Sequence, residues 1–314
     1  MPSAAPAGPV EGEAPPRVHT CFEPTTATWQ YVIADPRSRA AVVVDPVLDF
    51  DPATTALRTD SADRLLALVD AERYAVSHIL ETHAHADHLT ASSYLQRQLV
   101  ARGQRRPAIC IGKRITQVQA TFGRLYSVPA DELDGVFDKL FDDDDEFCVG
   151  ALKAKVLHLP GHTPDHVGYV IGENVFTGDS IFNPDVGSAR CDFPAGSAND
   201  LYRSMRTLLS LPAHYRLYTG HDYPPDSRAP APTGERFKPY TTVAEQNDEN
   251  IHVKKGVAEE KFVELRSARD ASLSEPRLLH QALQFNIRAG RLPAETAEGY
   301  RFLQVPLKVP RTLL

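Results

Sequence analysis

The chain has 314 residues, with 34 Lys and Arg against 41 Asp and Glu, and its net charge of −7 gives no electrostatic footprint for nucleic acid or for an anionic membrane surface. No apolar run approaches the roughly 18 to 20 residues needed to span a bilayer. Four cysteines, at positions 21, 110, 148 and 191, form no CxxC pair and read as reduced thiols of a cytoplasmic protein.

Residues 1–18 are rich in Ala and Pro, carry Glu11 and Glu13, and have no basic residue before Arg17. They fit neither a secretory signal nor a transit peptide and are expected to be a disordered tail. Residues 29–33 and 41–44 are apolar and β-branched and predict two strands joined by the polar turn Asp35-Pro36-Arg37-Ser38. The leucine spacing over 62–73 predicts an amphipathic helix.

After the apolar run at 76–80 comes Thr82-His83-Ala84-His85-Ala86-Asp87-His88, three imidazoles and a carboxylate within six positions. A divalent first-row metal needs neutral imidazole nitrogens and an ionised carboxylate converging on one point. His83 and His85, two apart in an extended segment, project to one side and can share an ion. Asp87 and His88 fall in the following turn, where a second ion could sit a few Å away.

A helix over 89–102, a strand over 107–111 and a helix over 115–125 are expected next. The acidic run Asp142-Asp143-Asp144-Asp145-Glu146 lacks the spaced ligands and glycine of a calcium loop and reads as a solvated turn. Three short strands then each end in a small residue and a candidate ligand: Gly161-His162, Gly178-Asp179 and Gly220-His221. Glycine before the ligand lets the backbone turn sharply at the strand end. Arg190 and Asp192 follow the aspartate, and Cys191 between them reads as buried packing.

A helix over 198–211 presents Leu201, Met205, Leu208 and Leu209 on one face. Beyond His221, residues 224–234 form a proline-rich loop placed to rim the site. Helices are expected over 242–250, 259–271 and 277–288, continuing a layer over one face, and the chain ends in an extended tail over 305–314. That tail is a candidate contact for a second copy in a homodimer.

The ligand constellation from residue 21 to 221 resembles the metallo-β-lactamase superfamily. The resemblance implies an α+β fold, an αββα four-layer sandwich with the metal pocket at one edge of two packed sheets. The catalytic core would be 19–223, with a C-terminal helical extension over 224–314. By position, dinuclear members use the counterparts of His83, His85 and His162 for one metal and of Asp87, His88 and His221 for the other, with Asp179 as bridge. A metal-free scaffold typically loses ligands, and none is missing here.

Narrower segments are similar to the persulfide dioxygenases, and more closely to their bacterial β-lactamase-like hydrolase subgroup. They are Phe22-Glu23-Pro24, Trp29-Gln30-Tyr31, the block from His83 to Ala91, Gly178-Asp179-Ser180-Ile181-Phe182, and Ser188-Ala189-Arg190-Cys191-Asp192-Phe193. This resemblance implies one Fe(II) per chain, held by His83, His162 and Asp179, and oxidation of glutathione persulfide by dioxygen to sulfite and glutathione. A two-histidine, one-carboxylate set suits non-haem iron with open positions. Arg190 would grip a substrate carboxylate in a bidentate fork, or else pair with Asp192. Because Asp87, His88 and His221 are also present, a zinc-dependent hydrolase of a lactam, lactone or thioester with two Zn(II) is the alternative. Asp87 is then a metal ligand, whereas in the iron reading Asp87 and His88 orient the ligand imidazoles.

Overall fold

The computed structural model describes residues 14–231 and 234–310. In chain order the strands of the first half are β1 (Arg17–Glu23), β2 (Thr28–Ala34), β3 (Ala40–Val44), β4 (Val47–Asp51), β5 (Ala56–Arg58), β6 (Ala75–Leu80), β7 (Leu89–Thr90), β8 (Ala108–Gly112) and β9 (Lys139–Phe141). Those of the second half are β10 (Glu146–Val149), β11 (Leu152–His158), β12 (Val167–Ile171), β13 (Asn174–Gly178), β14 (Arg216–Thr219) and β15 (Tyr240–Thr242). The helices are α1 (Asp60–Glu72), α2 (Ser92–Ala101), α3 (Ile115–Leu125), α4 (Ala198–Leu209), α5 (Val243–Glu249), α6 (Glu259–Asp270) and α7 (Leu279–Asn286).

Two six-stranded sheets, ordered β1-β2-β3-β6-β8-β9 and β10-β11-β12-β13-β14-β15, pack face to face. β2 and β3 are buried almost throughout and are rich in Val, Ile and aromatic residues, because both faces of the sheet are covered. One face, with Tyr31, Ile33, Val42 and Val44, meets Val156, Tyr169, Ile171 and Phe176 of the second sheet. The other face, with Val32, Val43 and Ile79, is covered by α1, α2, α3 and α7. The second sheet's outer face carries Val170 and Val175 under Leu201, Met205 and Leu208 of α4, Val243 of α5 and Phe262 of α6. Each such aliphatic or aromatic side chain contributes roughly 1.5–3 kcal/mol on burial. The α+β four-layer sandwich is therefore the observed fold.

Several elements differ from the sequence reading. Arg17 and Val18, expected in the tail, open β1 and pair with Ala34 and Ile33, while residues 1–13 of that tail lie outside the described residues. The helix expected from 89 begins at Ser92: Leu89 and Thr90 form β7, paired with Leu48 and Val47 of β4. Strand pairing supplied by a distant segment overrides local helix preference there. The C-terminal helices do not continue one layer. α5 and α6 pack on α4, whereas α7 crosses to the opposite outer layer beside α3 and β7. The expected tail has no regular structure up to residue 310, and 311–314 lie outside the described residues.

The acidic run is an exposed turn held by cations. Lys113 meets Asp142 at 2.5 Å, Arg114 forks onto Asp143, and Lys155 and Lys139 reach Asp144 and Asp145. All four cysteines are free, and Cys191 is buried as packing, its thiol pushed up to about 12 by burial and then by Asp270. Among the described residues no helix is long and apolar enough to cross a membrane.

Candidate metal centre

The ligand motif occupies the loop that leaves β6, and β11, β13 and β14 deliver the other candidates to the same edge of the sandwich. Two glycines are required there. Gly178 has φ +48°, and a Cβ on it would lie 2.5 Å from Thr82 Oγ1 and 2.8 Å from His166 Nε2. A Cβ on Gly220 would lie 2.5 Å from Asp179 Oδ1. The sharp turns allow the ligand-bearing strand ends to touch.

Ligand atoms of His83, His162 and Asp179 lie within 4.8 Å of one another, all three side chains buried. A second group, His85, Asp87, His88 and His221, meets the same limit. Asp179 stands between the two, its Oδ2 3.7 Å from His162 Nε2 and its Oδ1 3.6 Å from His221 Nε2. His85 departs from the spacing argument. Its ring is 4.1 Å from that of His83, but its ligand atoms gather with Asp87, His88 and His221, and also with Asp45 and Glu81. The motif lies in a loop beyond β6, so the two-residue alternation of a strand no longer governs which side chains meet.

Four of the imidazoles are tied through one ring nitrogen. His83 Nδ1 is 2.9 Å from Thr82 Oγ1, which itself donates to Asp45 Oδ2. His162 Nδ1 donates to the Arg190 carbonyl at 2.7 Å, His85 Nε2 to Asp45 Oδ1 at 3.1 Å, and His221 Nδ1 lies 3.3 Å from Thr28 Oγ1. The remaining His83 Nε2, His85 Nδ1 and His221 Nε2 are buried without a hydrogen bond, as are both nitrogens of His88 and Asp179 Oδ1. Buried polar atoms are nearly always satisfied. Orphaned nitrogens on rings fixed through their other nitrogen fit metal ligation, so the residues present suit a bound ion.

The charge balance differs between the groups. Burial and the neighbouring imidazoles His85, His166 and His162 hold His83 well below the ordinary histidine range, so it is neutral and ready to ligate. In the second group Asp87 Oδ2 is 3.0 Å from His221 Nε2. Against the cost of burial, His221 and His88 lower the Asp87 carboxyl, and Asp179 and Asp87 raise His221. Burial also opposes the charge on His85, but Asp45 and Glu81 together raise the imidazole well above its usual range.

Several contributors were not foreseen. His166 is stacked on His83 with centroids 4.7 Å apart, and its Nε2 accepts the Asp179 N–H at 3.0 Å. Asp165 Oδ2 accepts the Ala84 N–H at 2.8 Å. Glu81 accepts from Thr90 and Ser92 and approaches His85 at 3.5 Å. Asn286 of α7 donates to the carbonyls of His85 and His88, both at 2.8 Å, and accepts the Thr90 N–H. Only Asp165 and His166 carried a signal, as an Asp-His pair three residues past the His162 ligand.

The groups open on a cavity of about 670 Å³, lined by Asp87, His162, Asp179, Phe182, Arg190 and Tyr223 among others. The Arg190 fork is already engaged: Nε and Nη2 bind Asp192 at 2.6 and 2.5 Å, and Nη1 donates to the Ser274 carbonyl. The structure thus shows the Arg190–Asp192 ion pair that was the alternative to a carboxylate clamp. Its backbone carbonyl, which orients His162, is what reaches the centre.

A family model of the metallo-beta-lactamase superfamily matches residues 24–221. A probable metallo-hydrolase of Burkholderia pseudomallei is 44% identical over 298 residues, covering 91% of this chain and 97% of the relative. A beta-lactamase hydrolase-like protein of Xylella fastidiosa is 44% identical over 293 residues, 93% of this chain, which spans only 65% of that relative's length. The mitochondrial persulfide dioxygenase ETHE1 of Homo sapiens is 28% identical over 280 residues, covering 88% of this chain and 90% of the relative. Among solved structures, ETHE1 from Myxococcus xanthus superposes with a TM-score of 0.68 at 29% identity, covering 88% of this chain and all of that one.

Proposed function

The chain belongs to the metallo-beta-lactamase superfamily, and we propose that within it the protein is an iron(II)-dependent persulfide dioxygenase. The observation that carries this reading is the gathering of His83, His162 and Asp179, a two-histidine, one-carboxylate set, of which His162 and Asp179 line the cavity. The likeness to persulfide dioxygenase ETHE1 over 88% of the chain supports it. So does the charge balance, because an ion seated between Asp87 and His221 has to break a pairing at 3.0 Å, whereas His162 and Asp179 stand further apart, at 3.7 Å, and His83 and His162 are held through their other nitrogens by a hydroxyl and a carbonyl.

In this reading His83 Nε2, His162 Nε2 and Asp179 hold one Fe(II). A ferrous ion there supplies the one-electron chemistry that dioxygen needs to react with a closed-shell sulfur anion. One glutathione persulfide, one dioxygen and one water give one glutathione, one sulfite and two protons, so no outside reductant enters. Thr82 and the Arg190 carbonyl fix the ring orientations of His83 and His162. Asp87, at the cavity wall with Oδ2 3.0 Å from His221 Nε2, would stay ionised and hold the His221 ring in place. Phe182 and Ala189 keep part of that wall apolar.

A second reading is favoured by a specific observation. His85, Asp87, His88 and His221 form a complete further ligand group, and the Burkholderia relative carries the name metallo-hydrolase. There two Zn(II) would lower the pKa of a shared water for attack on a lactam, lactone or thioester carbonyl.

Elemental analysis of protein purified without added metal, followed by oxygen uptake with glutathione persulfide, tests the choice. About one iron per chain with oxygen consumption and sulfite release is expected. Two zinc per chain, no oxygen uptake and hydrolysis within a lactam, lactone and thioester panel would overturn the dioxygenase.

A further inference from the structure

The cavity wall contributed by α6 and the segment after it is cationic, in a chain whose net charge is −7. The charged residues of the cavity outside the metal centre sort into two kinds. Asp185 is paired with Arg228 at 2.5 Å, Arg266 with Asp270 at 2.7 Å, and Arg190 with Asp192. Arg269 and Arg277 also line the cavity, are exposed, and have no ion pair or side-chain hydrogen bond among the described residues. Arg269 and Arg277 therefore line the same cavity as the ligand groups without a counter-charge among the described residues.

Their placement is fixed by the crossover of the C-terminal chain. Phe262 and Arg266 anchor α6 in one outer layer, and Leu278 and Leu283 anchor the following residues in the other, so 271–278 pass over the cavity with Leu273, Pro276 and Arg277 along its wall. The segment is tied to the metal centre at two points. Asp270 Oδ2 accepts the Cys191 N–H at 2.9 Å, and the Ser274 carbonyl accepts from Arg190, whose own carbonyl holds His162. Packed and hydrogen-bonded at both ends, the strap needs little further ordering when a ligand arrives.

We infer that Arg269 and Arg277 are the carboxylate-binding residues of this site and select a substrate carrying carboxylate groups remote from the atom that reacts at the metal. A guanidinium presents paired N–H donors that match a carboxylate, and each such charge-assisted contact is stronger than a neutral hydrogen bond. A cavity of about 670 Å³ holds a ligand of tripeptide size, large enough to reach both the ligand groups and the strap. The assignment takes the role that Arg190 cannot fill while its fork is on Asp192. It rests on the reading of the histidine–aspartate groups as the reacting centre.

Metal-loaded wild type, Arg269→Gln, Arg277→Gln and the double variant are titrated calorimetrically with glutathione, a thiol with two carboxylates, and with its diethyl ester. Arg203→Gln, on the exposed side of α4, serves as control. Glutathione affinity falls about tenfold for each arginine removed, while the diester binds every protein equally weakly. In oxygen uptake with glutathione persulfide, KM rises in parallel and kcat changes much less. Oxygen uptake with an unchanged KM in the double variant overturns the arginine assignment and leaves the dioxygenase standing. Loss of glutathione affinity in the variants of a protein that takes up no oxygen keeps the arginine assignment and removes the dioxygenase. Equal glutathione affinity in wild type and double variant, or no glutathione binding by the wild type, overturns the assignment whatever the reaction.

Discussion

His83, His162 and Asp179 have their hydrogen bonds to neutral partners, a threonine hydroxyl, a backbone carbonyl and, for the Asp179 N–H, the imidazole of His166, and their charge contacts are long, with Asp179 3.7 Å from His162 and 3.6 Å from His221. His85, Asp87, His88 and His221 lean on charge instead, through Asp45 at 3.1 Å from His85, and Asp87 at 3.0 Å from His221 and 3.4 Å from His88. Neutral anchors leave the lone pairs of the first group free at little electrostatic cost. Mutual ion pairing lets the second group exist as a charge-compensated network without any ion. Similar residue types at one rim can thus serve as a ligand set or as its orienting surround, and the partners decide which.

Removing a ligand from the first group should have the largest effect. His162→Ala is expected to lose bound metal and more activity than the about 10- to 100-fold that loss of an orienting partner costs. Metal content beside kcat checks this, and a variant that keeps both would dissolve the distinction between the groups. Asp87→Ala sharpens it. If the second group only orients, activity falls by about 10- to 100-fold with iron retained, whereas complete inactivity with loss of a second metal ion argues for the dinuclear hydrolase.

The smallest effect concerns a histidine outside both groups. Burial, then Arg269 and Arg266, lowers His252 to about 4 from an ordinary 6.5, and its Nδ1 accepts the Ser188 N–H at 3.1 Å. Between those values the unfolded chain binds a proton that the folded chain refuses, so stability falls as pH drops from about 6.5 toward 4. His252→Asn should unfold with a flatter pH dependence, by roughly 1–2 kcal/mol after allowance for solvent screening. Thermal melts at pH 7 and pH 5 measure it, and equal slopes would show that His252 does not titrate on unfolding.

Local pattern carried much of this molecule. The helix over 115–125 and the cores of β2, β3, β11, β13 and β14 were legible because their apolar periodicity is set by burial of one face or both. The weakly patterned edge strand β1, with Arg17, His19 and Thr20 along it, was not, and neither was β7, whose two residues are extended only because β4 lies beside them. Within the site, His83, His85, Asp87, His88, His162, Asp179 and His221 announced themselves by residue type and by the glycines before three of them.

The sequence by itself determined the candidate ligands and the strand ends that carry them, because these follow from short-range chemistry and periodicity, while the sandwich that gathers them was implied by the family resemblance. Tertiary structure alone decided that His85 sides with Asp87 and His221, that the Arg190 fork is engaged while its carbonyl steers His162, and that Asn286 clamps the His85 and His88 carbonyls from about 200 residues away. It also carried α7 across the molecule, placing Arg269 and Arg277 at the cavity. Such choices depend on which distant groups meet. Hydrogen bonds and ion pairs act only over a few Å, so that information exists only once the chain has folded.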